Sequence, residues 1–159
     1  MRTRAGAAKA RLTKFTQENI DIKALFLPVL LSLLAPAAFA GGVSYDCEVK
    51  SHTRNGWIPP RVLLQVDEAA GKVGVFDGLI KEVQGAPLVL PYEANSKGKV
   101  KLRWKVKDAP ALRGSIPVTF SGSFEPSNGK LRLRAIVHGA DNTPSGTGKC
   151  QPAKFTLFQ

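Results

Sequence analysis

Hydrophobic and polar positions alternate along much of the chain, and the alternation is most regular at residues 99–107. Val100, Leu102, Trp104 and Val106 hold the even positions, and every odd position is a lysine or an arginine. Alternation over nine residues predicts a β-strand with one buried face and one solvent face. Because side chains on one face of a strand recur every ~6.6–6.8 Å, the five cations would form a row about 27 Å long.

Other segments with the same period predict further strands. Their ranges are 44–51, 61–67, 72–76, 79–84, 116–124 and 130–138. A closing strand is predicted within 149–158, and the run 88–90 predicts a short edge strand or a flap, because prolines flank it. Asp77-Gly78 predicts a type I′ hairpin turn between the third and fourth strands. Gly122, on the apolar side of its strand, predicts a bulge or a sharp bend.

The segments between these strands are rich in glycine, proline, asparagine and serine, which predicts turns and loops. We interpret 108–115 as an exit loop and 139–149 as the most mobile loop. Seven to nine short strands, with no helical period after Gly41, predict an all-β fold. It is either a small antiparallel β-barrel of the calycin (lipocalin-like) type or a β-sandwich. The comparison with calycins is one of architecture.

The two cysteines favour the barrel. Cys47 lies in the first predicted strand and Cys150 in the last. An even number of cysteines in a small exported domain predicts a disulfide. A bond between these two residues would make the first and last strands neighbours, as closure of a barrel requires.

The N-terminal 40 residues predict a helical secretory signal peptide. A basic region reaches residue 23, an apolar run covers 24–34, and Ala38-Phe39-Ala40 provides a small-residue cleavage site, with cleavage after Ala40. A membrane anchor is the alternative, but the run is shorter than the ~20 apolar residues that a span requires. We therefore expect a signal peptide at 1–40 and a single β domain at 41–159, periplasmic or secreted.

Positive charge dominates the whole chain and the expected mature domain. The formal net charge is +11, and removing the six cations and two anions of residues 1–40 lowers it to +7. Such an excess indicates polyanionic surroundings, although it carries no information about fold.

Three predicted strands, at 99–107, 116–124 and 130–138, form the sharpest functional hypothesis. Short connections predict that they are a meander, with small hydroxyls on the central strand between two cationic rows. The hydroxyls relieve repulsion between like charges and supply hydrogen-bond donors, so this face is suited to phosphates or carboxylates. The predicted anion-binding residues are Lys99, Lys101, Arg103, Lys105, Lys107, Thr119, Ser121, Ser123, Arg132 and Arg134.

Other interpretations stay open. The charged face can simply solubilise the domain and discourage edge-to-edge pairing. The barrel interior can bind a small apolar ligand, or the loops 52–60 and 139–149 can inhibit a periplasmic partner. The aromatic residues proposed to line such an interior are Trp57, Tyr92, Trp104, Phe120 and Phe124.

Catalysis is disfavoured. His52 and His138 both adjoin turn residues. The segment 145–150 fails the comparison with a phosphate loop, because Thr143 stands at the first glycine position, Cys150 follows the lysine and no helix is predicted after it. Two thiols and two histidines, none at zinc spacing, predict no metal site and no cofactor.

We therefore expect a monomeric, exported, non-catalytic barrel that binds an anionic envelope component. Its partner would be a polysaccharide, a lipid headgroup or an acidic protein. Nucleic acid is disfavoured because Trp104 is predicted on the buried face, and not between the cations where bases stack.

Overall fold

Eight strands and one short helix make up the fold, in a computed structural model that describes residues 41–159 except Asn55 and Asn142. The predicted signal peptide lies outside the described residues. The elements are β1 (Val43–Ser51), β2 (Arg61–Asp67), β3 (Lys72–Asp77), α1 (Gly78–Gln84), β4 (Leu88–Pro91), β5 (Val100–Ala111), β6 (Gly114–Glu125), β7 (Lys130–Val137) and β8 (Ser145–Ala153). Within the described part of the chain, no helix has the length and apolar character that a membrane crossing requires.

The strands form a single antiparallel sheet that nearly closes on itself. Its order is β4-β3-β2-β1-β8-β7-β6-β5. The two outer strands meet through the segment between them, because the backbone N–H of Lys101 donates to the carbonyl of Glu93 at 2.7 Å and Ala94 bridges to Val100. The all-β prediction and the preference for a barrel are thus confirmed at the level of a nearly closed, barrel-like sheet.

The predicted disulfide joins the first and last strands. Cys47 and Cys150 lie directly opposite each other in the β1–β8 register and are bonded. A disulfide is consistent with an oxidising extracellular or periplasmic location. Because it closes a loop of 103 residues, it stabilises the domain by roughly 4–5 kcal/mol in the chain-entropy model.

The core follows the alternation of the sequence. In β5 the four apolar residues from Val100 to Val106 are buried, and the cations between them are exposed. Trp104 stacks on Phe120 with ring centroids 5.0 Å apart, and Tyr45 meets Phe124 edge-on at 4.7 Å.

The predicted fourth strand is wrong, and so is the hairpin before it. Residues 78–84 form α1, which begins after Asp77, whose Oδ1 accepts from the backbone N–H of Ile80 at 2.8 Å. The helix ends at Gly85, whose φ of +70° suits the left-handed C-cap. Asp77 is therefore an N-cap and not a turn residue, and Ile80 is buried against the sheet.

Both predicted long loops are also partly wrong. Pairing of β5 with β6 continues through 108–115 to Ala111 opposite Gly114, and β8 begins at Ser145 inside the predicted mobile loop. The register shift lies between Val106 and Ala109, and not at Gly122, which pairs regularly with Leu102. A Cβ on that glycine would meet the carbonyl oxygen of Arg132, so the position needs a close approach of two strands.

Candidate anion-binding face

Strands β5 to β8 lie side by side, and their register aligns the outward residues in rungs across the sheet. We number the rungs toward the β5–β6 hairpin. The first rung contains Lys101, Ser123, Arg132 and Thr147. The second contains Arg103, Ser121, Arg134 and Ser145. The third contains Lys105, Thr119 and Ile136. We call the eleven residues of these rungs the basic face.

Cations and hydroxyls alternate across the first two rungs. The pattern runs cation, hydroxyl, cation, hydroxyl from β5 to β8. Neighbouring strands are ~4.8 Å apart, so the cation rows of β5 and β7 are about 10 Å apart. The hydroxyls of Thr119, Ser121 and Ser123 are half-buried between them. Within these two rungs no two cations therefore lie directly opposite each other, as the sequence pattern predicted.

The cations of the second rung make no ion pair within the described residues. Two other predicted site residues do form ion pairs. Nζ of Lys101 lies 4.0 Å from the carboxylate of Glu93, with both side chains exposed, and Nζ of Lys99 lies 2.8 Å from the carboxylate of Glu125. Arg132 and Arg134 are exposed and have no carboxylate opposite them in the register. Their charge is therefore available to a ligand.

Two of the predicted site residues lie at the margins of this face. Lys99 precedes β5, and its amino group is engaged by Glu125. That contact, together with the side-chain amide of Asn128, holds the pKa of Glu125 below its usual range. Lys107 is exposed at the register shift of β5, next to Asp108. The other eight predicted residues all belong to the basic face.

Strand β8 extends the face beyond the predicted residues. Ser145 and Thr147 border an open groove of about 540 Å³ that also includes Ser121, Arg132 and Arg134. In the sequence, Ser145 and Thr147 alternate with glycines, but glycine has no apolar side chain, so this segment lacks the hydrophobic period that predicts a strand.

Close packing explains those glycines. A Cβ on Gly146 would lie 2.8 Å from Cγ2 of Ile58 and 2.9 Å from the carbonyl oxygen of Lys50. Glycine is required there for β8 to pack against β1 and the loop that follows it.

Both histidines contact hydroxyls at the border of the face. Nε2 of His138 lies 2.9 Å from Oγ1 of Thr119, and Nε2 of His52 lies 3.2 Å from Oγ1 of Thr147. Because an imidazole nitrogen can donate to or accept from a hydroxyl, the two contacts tie Thr119 and Thr147 of the basic face to residues outside it.

The aromatic residues proposed for an apolar cavity occupy different environments. Trp104, Phe120 and Phe124 are buried in the core, and Trp57 and Tyr92 are only partly buried against it. Stacked and edge-on contacts of this kind are those of a packed interior. Among the described residues, no group of three or more histidine, cysteine, aspartate or glutamate side chains is arranged to hold a metal ion.

Comparison with known proteins leaves the site to be interpreted from its own geometry. No protein-family model matches the chain, and no curated protein or solved structure matches it either.

Proposed function

We propose that the protein is an exported, non-catalytic β-barrel that binds an anionic component of the cell envelope through the basic face. The observation that carries this proposal is the arrangement of the first two rungs. Four cations on β5 and β7 are spaced by hydroxyl side chains, and Arg103, Arg132 and Arg134 make no ion pair within the described residues.

The face suits an extended ligand with several negative groups. Cations recur about 6.7 Å apart along each strand and about 10 Å apart across β6, so an extended ligand can place several of its anionic groups on the face at once. The three arginines can each form two parallel hydrogen bonds to a phosphate or carboxylate, and the hydroxyls donate further bonds between them. Because the groove is open, we expect binding to depend on the number of charges engaged.

Two further parts of the proposal are the location outside the cytoplasm and the resemblance of the barrel to calycins. Export through the predicted signal peptide at 1–40 would deliver the domain to the compartment in which its disulfide persists. The calycin-type architecture stays a comparison of barrel form, and we infer no calycin-like ligand from it.

Charge-matched variants on two halves of the barrel test the proposal. Arg132→Gln with Arg134→Gln removes two charges from the basic face. Arg61→Gln with Lys72→Gln removes two charges from β2 and β3. Binding is measured against a sulfated polysaccharide and long-chain polyphosphate, at low and high salt. We expect the first pair to lower affinity at least about tenfold and to reduce the salt dependence, whereas the second leaves affinity within about twofold.

Equal losses in the two double variants would show that net charge, and not the face, attracts polyanions. Affinity of the unaltered protein that does not change with salt would also contradict the proposal. Capture of a single envelope protein, with neither polyanion bound, would favour the inhibitor hypothesis.

A further inference from the structure

The β5–β6 hairpin extends beyond the strands next to it and ends in an exposed apolar side chain. Pairing of β6 with β7 stops at Val118, whereas β5 and β6 stay paired to Ala111 and Gly114. Leu112 lies in the connecting turn and is fully exposed, at 106%. A fully exposed leucine at the tip of a projecting hairpin has no packing role within this domain.

Cations outnumber carboxylates along the distal part of this hairpin. In the distal part of the hairpin, 105–117, the charged residues are Lys105, Lys107, Arg113 and a single carboxylate, Asp108. The register shift between Val106 and Ala109 leaves Lys107 and Asp108 as consecutive exposed residues, and a bulge of this kind bends and twists a hairpin.

A second exposed apolar side chain lies on the same side of the barrel. Ile136 is 44% exposed and pairs with Thr119 in the third rung of the basic face. Strand directions place Leu112 and Ile136 toward the hairpin end, because β5 and β7 both run in that direction. Val43, which is 54% exposed, begins β1 at the opposite end.

We propose that the hairpin end docks on an anionic lipid bilayer, with Leu112 inserted among the acyl chains and Lys105, Lys107 and Arg113 at the headgroups. This inference rests on the proposed function and narrows its ligand to a membrane surface. A soluble polyanion offers no apolar phase, so it gives an exposed leucine no free-energy gain. A bilayer offers both the phase and the charge.

The expected contributions are large enough to measure. Each cation near an anionic membrane surface raises partitioning about fivefold, and burial of a leucine side chain raises it about tenfold or more. The basic face continues from the hairpin toward the first rung, so a tilted barrel would add Arg103 and Arg134 to the headgroup contacts.

The test compares Leu112→Ser with Val43→Ser, which removes an exposed aliphatic side chain at the other end. Protein purified from cells expressing the full chain is sedimented with vesicles of phosphatidylcholine, with and without phosphatidylglycerol. The same samples are titrated with the sulfated polysaccharide. We expect Leu112→Ser to lower partitioning into the anionic vesicles about tenfold and to leave polysaccharide affinity unchanged, whereas Val43→Ser changes neither.

The outcomes separate the inference from the function on which it rests. Unchanged vesicle partitioning of Leu112→Ser, with polysaccharide binding intact, would overturn the membrane inference alone. Equal partitioning of the unaltered protein into vesicles with and without phosphatidylglycerol would overturn it as well. Failure of the unaltered protein to bind either vesicles or polysaccharide would instead remove the proposed function.

Discussion

The outer surfaces of two halves of the barrel differ. We call β1–β3 the covered half and β5–β8 the uncovered, or open, half. On β1–β3, Arg61 pairs with Asp46 and the C-terminal segment, residues 154–159, lies over the strands. On β5–β8, the basic face is uncovered and its arginines are unpaired within the described residues. Since the two halves belong to one sheet with one core, this difference is a property of their outward residues and not of the fold.

The covered half shows how outward side chains are satisfied internally. Arg61 donates two hydrogen bonds to the carboxylate of Asp46, at 2.8 and 2.6 Å. Gln65 is buried because its Oε1 accepts from the backbone N–H groups of Leu157 and Phe158, and its Nε2 donates to the carbonyl of Phe158. The C-terminal segment of the chain thus covers the outer surface of this half.

Solubility alone accounts poorly for the uncovered half. A solubilising surface mixes charges of both signs, as the β1–β2 surface does. The first two rungs of the basic face instead carry only positive charges, which are separated by hydroxyl side chains. The comparison therefore supports our proposal that the uncovered half is available to an external anion.

The largest expected effect comes from the bond between the two halves. Cys47 is in β1 and Cys150 is in β8, so replacing both by alanine removes the covalent link at their boundary. We expect a loss of roughly 4–5 kcal/mol in the free energy of unfolding, measured by urea denaturation. Reductant should lower the midpoint of the native protein and leave that of the double variant unchanged. A double variant as stable as the native protein would mean that the halves associate without the link.

The next effect separates stability from binding. Gln65→Ala removes the side chain that holds the C-terminal segment, and we expect it to destabilise the protein by about 2 kcal/mol, because it leaves part-buried backbone groups unsatisfied. Arg134→Gln on the basic face should change stability by less than about 0.5 kcal/mol. Urea midpoints of the two variants test this, and equal losses would contradict the distinction between a covered and an open half.

A smaller effect concerns the carboxyl that caps α1. Burial raises the pKa of Asp77, and its Oδ2 has no hydrogen-bond partner within the described residues. As pH rises from the ordinary carboxyl value of about 3.9 through the raised pKa, the folded protein must release a proton that the unfolded chain has already lost. The contribution of this group to stability therefore falls over that window.

Two substitutions at Asp77 distinguish its charge from its capping role. Asp77→Asn keeps an acceptor for the N–H of Ile80 and removes the buried charge, so its stability relative to the native protein should rise between about pH 4 and pH 7. Asp77→Ala loses the cap and should be about 1 kcal/mol less stable than the asparagine variant. Unfolding at both pH values measures this, and a parallel pH dependence of Asp77→Asn and the native protein would exclude the charge effect.

The sequence predicted the basic half better than the rest of the barrel. Through most of β5, β6 and β7 the core side chains alternate with outward polar or charged ones, with Ile136 as an apolar exception, so the period alone places most of them. In 79–84 the same apolar residues fit a strand or a short helix, and the outcome depends on Asp77 and Gly85 as caps. In β8 two of the inward positions are Gly146 and Gly148, which give no hydrophobic signal in the sequence because close packing against β1 leaves no room for a side chain.

The candidate site, like the fold, could be predicted from the sequence for β5, β6 and β7 but not for β8. Register between β5, β6 and β7 follows from short connections, so the rungs could be anticipated, but Ser145 and Thr147 could not without β8. The pairing of Lys99 with Glu125 is likewise a tertiary contact, made where β5 and β6 meet at the end opposite the hairpin. Leu112 was placed in a loop, and its exposure follows from pairing that continues through that loop.

The smallest expected effect concerns the carboxylate next to the basic face. The amino group of Lys99 holds the pKa of Glu125 low, whereas burial holds the pKa of Asp77 high. At neutral pH Glu125→Gln removes this negative charge and frees Lys99 for a ligand. We expect affinity for the sulfated polysaccharide to rise and the slope of log K against log salt to steepen by about one.

The pH dependence of that gain provides its control. Because the pKa of Glu125 is lowered, its side chain is protonated in the native protein only at a pH below the usual carboxyl range. The difference in affinity between Glu125→Gln and the native protein should therefore be full at neutral pH and disappear as pH falls through that lowered pKa. A difference that persists in acid, or a slope that does not change at neutral pH, would mean that Lys99 lies outside the surface that the polyanion contacts.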